Sequence, residues 1–166
     1  MQNIEIRRFD AADRDWLVAQ HDVDYARDEG FDATFGVLVA EIIDSFLSDH
    51  DPACEAGWIA WQGDRRLGSI FCVRLTPRTA KLRLFLLVPD ARGLGLGRRM
   101  LGTCMGFAKQ AGYVDMTLWT HESHRAAGAL YAKTGWMLCG SKKVVSFGKP
   151  VADPVWTLLD YTLAKT

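Results

Sequence analysis

The sequence predicts one α/β domain built on a mixed sheet, and three observations carry this prediction. The chain has 166 residues, of which 49% are apolar and 24% are charged, a length and composition typical of a single globular domain. Three successive strand patterns in the first half indicate an antiparallel meander. The second half alternates strand and helix patterns in the order β-α-β-α-β-β, which makes the predicted sheet a mixed one.

A short strand and two helices are predicted first. Ile4, Ile6 and Phe9 indicate a short first strand. Asp13 or Asp15 can cap a first helix that extends to about Glu29. A second helix is predicted over 31–47, where apolar residues recur on one face, at positions 35, 38, 39, 42, 43, 46 and 47.

The strands and helices of the rest of the chain follow in order. The meander comprises GWIAWQ (57–62), then LGSIFCVRL (67–75) after the turn GDRR, and KLRLFLLV (81–88). Past a glycine loop we predict a helix over about 96–111, the strand YVDMTLWT (113–120), a helix over about 123–134, a strand from Trp136 and a last strand over about 155–163. The last strand could pair with a second copy in a homodimer, although a core strand would read the same way.

Charge and hydropathy exclude two classes of partner. Lysine plus arginine number 20, and so do aspartate plus glutamate, and no basic tail is present to bind a nucleic-acid backbone. No segment reaches the ~20 apolar residues of a membrane helix, and the first residues lack the pattern of a signal peptide. We therefore expect no nucleic-acid partner, no membrane association and a cytoplasmic location.

The cysteines and histidines predict no metal site. His121 and His124 could share one face of a helix, but no cysteine or carboxylate nearby completes a zinc set. The four cysteines are widely spaced, without a C-x-x-C pair, and are interpreted as reduced core thiols: Cys54, Cys72, Cys104 and Cys139.

The segment VPDARGLGLGRRM (88–100) joins a strand to a helix through three glycines. Pro89 stops the strand, and the helical pattern begins soon after Gly97. The first turn of a helix has unpaired N–H groups and a dipole that favours an anion, and glycines let a phosphate approach these groups without a Cβ in the way. Arg92, Arg98 and Arg99 can add positive charge. The loop therefore predicts a phosphate or pyrophosphate site.

The glycine spacing excludes the two common nucleotide loops. A G-x-G-x-x-G fingerprint needs glycine at position 98 or 100, where Arg98 and Met100 stand. A G-x-x-x-x-G-K-[ST] loop starting at Gly93 needs glycine at position 98 and fails for the same reason. A tight turn that needs glycine only for its geometry remains an alternative.

Two motifs resemble those of the GNAT N-acetyltransferase superfamily. Arg92, Gly95 and Gly97 fit the R-x-x-G-x-G spacing of that superfamily's acyl-coenzyme-A loop, after the strand LRLFLLVPD. The later segment ALYAKTGWM (129–137), which follows the strand MTLWT, is similar to its L-Y-x-K-x-G-F motif, with Trp136 in place of the phenylalanine. The chain also resembles the acetyltransferase part of proteins that fuse a winged-helix regulator to a GNAT domain.

The resemblance implies a single GNAT domain over residues 1–166, with a mostly antiparallel sheet that splays between its fourth and fifth strands and carries helices on both faces. The pantetheine arm of acetyl-coenzyme A (acetyl-CoA) would lie in that gap, where backbone groups of Leu86 and Val88 pair with its amides and a bulge frees an N–H for the thioester carbonyl. The N–H groups from Gly93 to Arg98 would hold the pyrophosphate, with Arg98, Arg99 or Lys133 near the ribose phosphate. The implied coenzyme-binding residues are Leu86, Leu87, Val88, Arg92, Gly93, Leu94, Gly95, Leu96, Gly97, Arg98 and His124.

By the same resemblance Tyr131 is the catalytic residue, an acid that donates a proton to the departing thiolate. Transfer from a phenol of pKa ~10 to a thiolate of pKa ~8.5 is uphill by roughly 2 kcal/mol, so the site must assist it. Packing alone also explains a buried tyrosine on this helix. His124 stands where the family often has asparagine, and His121, Glu122 or His124 could instead relay a proton from the acceptor amine.

The acceptor site would lie beside the thioester, lined by the first two helices and the loop between them. The family often has a glutamate base on the strand before the loop, where this chain has Lys81 and Arg83, and these cations favour an acceptor that carries negative charge, such as an amino acid. The candidate lining residues are His21, Asp24, Tyr25, Phe31, Asp32, Phe35 and Trp119.

The implied function is an acetyl-CoA-dependent N-acetyltransferase. It would transfer an acetyl group to a primary amine of a small-molecule or amino-acid-like acceptor, by direct attack in a ternary complex. The main alternative is an acyl-CoA sensor that binds the coenzyme without catalysis, which the missing strand glutamate favours. A dinucleotide-binding oxidoreductase is a third reading, and the glycine spacing disfavours it.

Overall fold

The computed structural model describes residues 3–29, 34–119, 125–146 and 149–159. Within them the strands and α-helices are β1 (Ile4–Arg8), α1 (Arg14–Glu29), α2 (Thr34–Asp49), β2 (Ala56–Gln62), β3 (Arg65–Arg74), β4 (Thr79–Leu87), α3 (Leu96–Gln110), β5 (Asp115–Trp119), α4 (Arg125–Lys133), β6 (Met137–Ser146) and β7 (Lys149–Leu159). The strands form one sheet in the order β1-β2-β3-β4-β5-β7-β6. Its neighbours are antiparallel except for the parallel pair β4–β5, so the predicted mixed, mostly antiparallel sheet is confirmed.

The start of α1 differs from the prediction. Neither Asp13 nor Asp15 is the first cap: Asp10 accepts a hydrogen bond from the Ala12 N–H at 2.8 Å, and the Asp10 N–H donates to Asp13 at 3.0 Å. This capping box closes a short 3-10 turn over 11–13 that leads into α1 at Arg14. Two side chains of the protein thus satisfy the backbone donors at this helix start.

The last strand begins earlier than predicted, at Lys149 rather than near 155, while residues 160–163 lie outside the described residues. The added segment contains Pro150 and Pro154, and proline removes a ladder donor. In the structure β7 pairs with β5 only from Val155 onward, whereas residues 149–157 pair with β6. Both prolines therefore lie where β7 has a single neighbour among the described residues, a position like that of an edge strand, in which proline is tolerated. Over residues 155–157 β7 has β5 on one side and β6 on the other, so this part is a core strand and not a dimer edge.

Helices cover both faces of the sheet, as predicted. On one face α3 packs Met100, Leu101 and Cys104 against Ile70 and the neighbouring strands. On the other face α1 and α2 pack against Phe71, through Leu17, Val39 and Ile43. Ile70 and Phe71 are consecutive in β3, so they point to opposite faces and anchor the two cores.

The sheet opens between β4 and β5. These strands pair only over Thr79–Lys81 with Asp115–Thr117, although β4 continues to Leu87 and β5 to Trp119. A bulge lies just past the fork, because two steps along β3, from Ser69 to Phe71, oppose three along β4, from Leu86 to Arg83. A bulge bends its strand and increases its twist, which carries the end of β4 away from β5.

Three other sequence expectations can be compared with the structure. Cys72 and Cys104 are buried and Cys54 is half-buried, and all three are free thiols, as expected; the side chain of Cys139 lies outside the described ones. Within the described residues, no group of three or more histidine, cysteine or acidic side chains could hold a metal ion. No described helix combines the length and the apolar character needed to cross a membrane.

Candidate functional site

The candidate site begins at the open edge of β4. The Val88 N–H donates to the Leu67 carbonyl at 2.9 Å, and the Val88 carbonyl accepts from the Ala91 N–H at 3.0 Å. Because an antiparallel ladder alternates, Leu86, two residues earlier, also turns its backbone toward β3. The backbone groups of Phe85 and Leu87 therefore face the gap. The prediction that Leu86 and Val88 pair with a ligand there is wrong, and Phe85 was missed because only the register with β3 reveals it.

The bulge of β4 is held in place by a buried serine. Leu84 has φ 52°, a left-handed conformation that a leucine rarely adopts. The fully buried Ser69 hydroxyl donates to the Leu84 carbonyl at 2.5 Å, which fixes this strained residue. Arg83 and Leu84 both line the cleft beneath α2, while Leu82 and Phe85 pack on the α3 face. The bulge thus turns two consecutive side chains to the same face.

The glycine loop ends in an uncapped helix start. Gly93 and Gly95 both have φ 78°, and Gly95 is the N-cap residue of α3, without a side-chain hydrogen bond to close the helix. The first bond of the helix runs from the Arg99 N–H to the Gly95 carbonyl at 3.2 Å. Within the part of the chain that the structure describes, the N–H groups from Gly93 to Arg98 donate no hydrogen bond. Such donors at a helix N-terminus attract an anion.

The loop glycines lie in two different environments. A Cβ on Gly93 or Gly95 would meet no described atom within 4 Å, so these positions need glycine for their positive φ, and they leave open space above the N–H groups. A Cβ on Gly97 would lie 3.4 Å from both Leu87 and Leu130. These are ordinary van der Waals distances, so Gly97 lies beside the end of β4 and the helix α4 without being required there for space.

The arginines of the glycine loop contact different parts of the protein. The Arg92 Nε donates to the Leu87 carbonyl at 3.3 Å, at the end of β4. Arg99 instead donates to the Ile4 carbonyl at 3.1 Å, on β1. Arg98 and Lys133 are exposed. Of the three cations predicted near a ribose phosphate, Arg99 is thus directed elsewhere, because it holds the sheet edge to α3.

Tyr131 is buried beside the gap. Its side chain is 3% exposed, and its ring centroid lies 6.4 Å from that of Phe85 and 5.7 Å from that of Trp136. The structure thus brings Tyr131 next to the strand whose backbone faces the gap. Leu94, at the tip of the loop, is 67% exposed, whereas Leu96 is buried in the α3 core. His124, with His121 and Glu122, lies outside the described residues.

A cleft of about 360 Å³ lies on the opposite face from Tyr131, between α2 and the strands β3 and β4. Its walls include Glu41, Phe46 and His50 from the α2 side and Arg83 and Leu84 from the bulge. The second helix was predicted to line the acceptor site, but Phe35 was the only residue named from α2, because the exposed edge of this helix shows only a helical pattern in the sequence. The bulge residues connect this cleft to the gap in the sheet.

The predicted acceptor residues on α1 are placed differently. His21 and Asp24 are each 2% exposed and so belong to the packed interior. Burial lowers the pKa of His21 to about 4, against a hydrogen bond to the Leu17 carbonyl and the charge of Asp24, which both raise it. They are not exposed cleft residues, because α1 turns this polar face inward. The side chains of the other candidates lie outside the described ones: Tyr25, Phe31, Asp32, Phe35 and Trp119.

Two cations on β4 are partly removed from water. Burial and the charge of Arg83 lower the pKa of Lys81 to about 8. Burial also lowers the pKa of Arg83. Lys81 is the last β4 residue paired with β5, and Arg83 is at the bulge, so both charges stand at the fork of the sheet.

Solved structures share this fold over nearly the whole chain. An acetyltransferase of the GNAT family from Streptococcus pneumoniae aligns with a TM-score of 0.76 at 19% identity, covering 95% of this chain and 99% of that one. YncA from Salmonella typhimurium, solved with its cofactor acetyl-CoA, aligns with a TM-score of 0.73 at 16% identity, covering 95% and 94%. At these identities the likeness concerns the fold.

Curated relatives match parts of the chain. Mycothiol acetyltransferase from Geodermatophilus obscurus is 32% identical over 91 residues, 51% of this chain and 29% of the relative. N-acetyltransferase 8F1 from Rattus norvegicus is 29% identical over 118 residues, 68% of this chain and 52% of the relative. The matches therefore span about half or less of these relatives. Residues 14–136, which include the fork, the glycine loop and Tyr131, match the family model described as Acetyltransferase (GNAT) family, and the chain belongs to this family.

Proposed function

We propose that this protein is an acetyl-CoA-dependent N-acetyltransferase that acts on a primary amine of a small-molecule or amino-acid-like acceptor. The observation that carries the proposal is the run of unpaired N–H groups from Gly93 to Arg98, which stands at the mouth of a gap in the sheet. The N–H groups supply donors for a pyrophosphate, and the gap between β4 and β5 supplies an extended slot beside them. A long ligand with a pyrophosphate at one end fits this combination, as coenzyme A does.

The coenzyme would lie along the open edge of β4. The backbone groups of Phe85 and Leu87 face the gap and would pair with the pantetheine amides, in the way that an added strand pairs with a sheet edge; the Leu87 carbonyl would have to be shared with Arg92, which donates to it. An N–H at the bulge would donate to the thioester carbonyl, as a preorganised donor for the charge that develops there. Arg92 and Arg98 would add positive charge at the loop, and His124 stays a predicted contact.

Tyr131 would act as the acid of the reaction. Its hydroxyl would donate a proton to the thiolate as the acceptor amine attacks the acetyl carbonyl directly. Burial beside Phe85 and Trp136 supports this role, because a site that excludes water strengthens a directed hydrogen bond. No covalent enzyme intermediate is needed, since both substrates would be held together in a ternary complex.

Further features of the protein stay predictions. We propose that residues 1–166 form one domain, that the protein is cytoplasmic and that it uses no metal. The likeness to the acetyltransferase part of winged-helix fusion proteins also stays a prediction. The homodimer also stays a prediction, and it could not pair through residues 155–157 of β7, because β5 and β6 occupy both sides of the strand there.

The first test is the thermal stability of the purified protein with acetyl-CoA, coenzyme A, NAD and ATP. A ligand at a hundredfold excess over its dissociation constant adds about 2.7 kcal/mol of stability. We expect a rise with the two coenzyme A forms and none with NAD. A flat response to both coenzyme forms would refute the proposal. Stabilisation without acetyl transfer to any amine in a broad panel would favour the sensor alternative.

A further inference from the structure

Arg83 stands out among the charged residues of the protein. Its side chain is half-buried at the bulge of β4 and lines the cleft beneath α2. Within the described residues it makes no hydrogen bond and no ion pair. Most half-buried guanidinium groups are paired, because an unpaired charge loses hydration without compensation. Burial lowers the pKa of Arg83, as expected for a charge that has lost water without gaining a partner.

The carboxylates around the cleft do not neutralise Arg83. Glu55 is already engaged, since its two carboxylate oxygens accept from the N–H groups of Asp51 and Arg74 at 2.9 and 3.0 Å. Glu41 and Asp49 are exposed on α2, and no ion pair joins either of them to Arg83. The cationic side of the cleft is therefore the bulge, and its acidic side is α2.

The position of Arg83 relative to the gap sets the size of a ligand that could use it. Arg83 comes two residues before Phe85, whose backbone faces the gap. The Cα atoms of these two residues are therefore at most about 7 Å apart. A small molecule held at Arg83 would thus reach the reaction centre with a group a few bonds away. Apolar side chains of the same cleft, Ile42, Phe46 and Leu84, would contact the rest of it.

We propose that Arg83 binds the carboxylate of the acceptor, so that the acceptor is an amine that carries a carboxylate close to its amino group and has an apolar side chain. This inference rests on the proposed acetyltransferase function and narrows its substrate class. A guanidinium binds a carboxylate through two parallel hydrogen bonds, which fixes orientation as well as position. Glu41 and Asp49 would repel a second carboxylate, so an amino acid with one carboxylate is preferred over a diacid.

The test compares matched amines as substrates of the 166-residue protein. Acetyl transfer from acetyl-CoA is followed by release of free thiol, with L-phenylalanine and L-leucine against their methyl esters and the corresponding decarboxylated amines. We expect kcat/KM to be at least tenfold higher for the amino acids. Equal or higher values for the esters and the decarboxylated amines would overturn the inference.

Two variants locate the effect. Arg83→Gln should raise KM for the amino acids about tenfold or more and leave the decarboxylated amines nearly unchanged, and Arg83→Lys should give an intermediate value. Arg74→Gln is the matched control, because Arg74 lines the same cleft but is exposed, and it should keep the selectivity of the wild type. Thermal unfolding of each variant checks its fold. Unchanged selectivity in both Arg83 variants would contradict the assignment.

Failure of this inference can be told apart from failure of the proposed function. If acetyl-CoA does not stabilise the protein, the proposed function fails and the inference falls with it. If amines are acetylated without preference for a carboxylate, only the inference fails. If acetyl-CoA binds but no amine is acetylated, L-phenylalanine added to the coenzyme A complex should stabilise the wild type and not Arg83→Gln, and no stabilisation of the wild type overturns the inference.

Discussion

The two ends of α3 use the same residue in similar conformations but are completed in different ways. Gly95 at the N-terminal end has φ 78° and Gly112 after the C-terminal end has φ 95°, and a Cβ on either would meet no described atom within 4 Å. At the C-terminal end, the Gly112 N–H donates to the Lys109 carbonyl at 3.1 Å and the Tyr113 N–H donates to the Ala108 carbonyl at 3.2 Å. This is a Schellman motif, and it satisfies the last carbonyls of the helix.

The N-terminal end has no equivalent closure. The N–H groups there lack a side-chain cap and a backbone acceptor within the described residues, whereas the entry to α1 is closed by the capping box of Asp10. The chain can therefore cap a helix start and does not do so at α3. A closed helix end contributes to folding, and an open one leaves donors for a ligand. We expect substitutions at the open end to change binding and catalysis, and those at the closed end to change stability.

The largest expected effect is that of Tyr131→Phe, beside the open end. Loss of a general acid typically costs between about a hundredfold and ten-thousandfold in rate, so we expect kcat for acetyl transfer to fall at least a hundredfold. Acetyl-CoA affinity should stay within about threefold of the wild type, because the backbone donors remain. Steady-state kinetics and a coenzyme titration measure the two quantities. Unchanged turnover at every pH would remove the acid role from Tyr131.

The second prediction concerns the stability of the fold, through a buried histidine far from the open end of α3 in sequence. His21 has its pKa lowered to about 4 by burial in α1, so the unfolded chain takes up a proton near pH 6.5 while the folded protein does not. Stability should therefore fall as the pH decreases from about 6.5 to 4, by about 3 kcal/mol for this group. Urea unfolding at pH 7 and pH 4.5 measures this loss of stability, and the loss should be smaller in His21→Leu. An equal loss in the variant would show that another group causes it.

The third effect compares the two glycines directly. Asparagine tolerates a positive φ, so Gly95→Asn and Gly112→Asn should cost similar, small amounts of stability. In Gly95→Asn the new side chain occupies the space above the loop N–H groups, and we expect acetyl-CoA to bind about tenfold to a hundredfold more weakly. Gly112→Asn should bind it as the wild type does. Equal affinities for the two variants would mean that the loop is only a turn.

Patterns local in the sequence predicted most of the fold and the position of the loop. Apolar runs separated by turn residues located the strands of the meander, and the three glycines located the loop at the start of α3. The direction of the β4 backbone could not be predicted, because it depends on pairing with Leu67 and on the bulge at Leu84, and both are set by a strand distant in sequence. Arg83 was expected near the acceptor, but the bulge that turns Arg83 and Leu84 to the same cleft could not be predicted, because the run LRLFLL reads as a regular strand.

The smallest expected effect is at the closed end, where the Tyr113 hydroxyl donates to the Cys54 carbonyl at 2.8 Å and ties the end of α3 to the segment before β2. Tyr113→Phe removes this hydrogen bond and should lower stability by about 1 kcal/mol. Burial raises the pKa of Tyr113 well above its ordinary value, so the hydroxyl stays a donor and the loss should be equal at pH 6 and pH 9. Acetyl-CoA affinity and kcat should not change. If Tyr113→Phe instead weakened acetyl-CoA binding as strongly as Gly95→Asn, the two ends of α3 would be coupled through the helix, and the separation of folding from binding along it would be wrong.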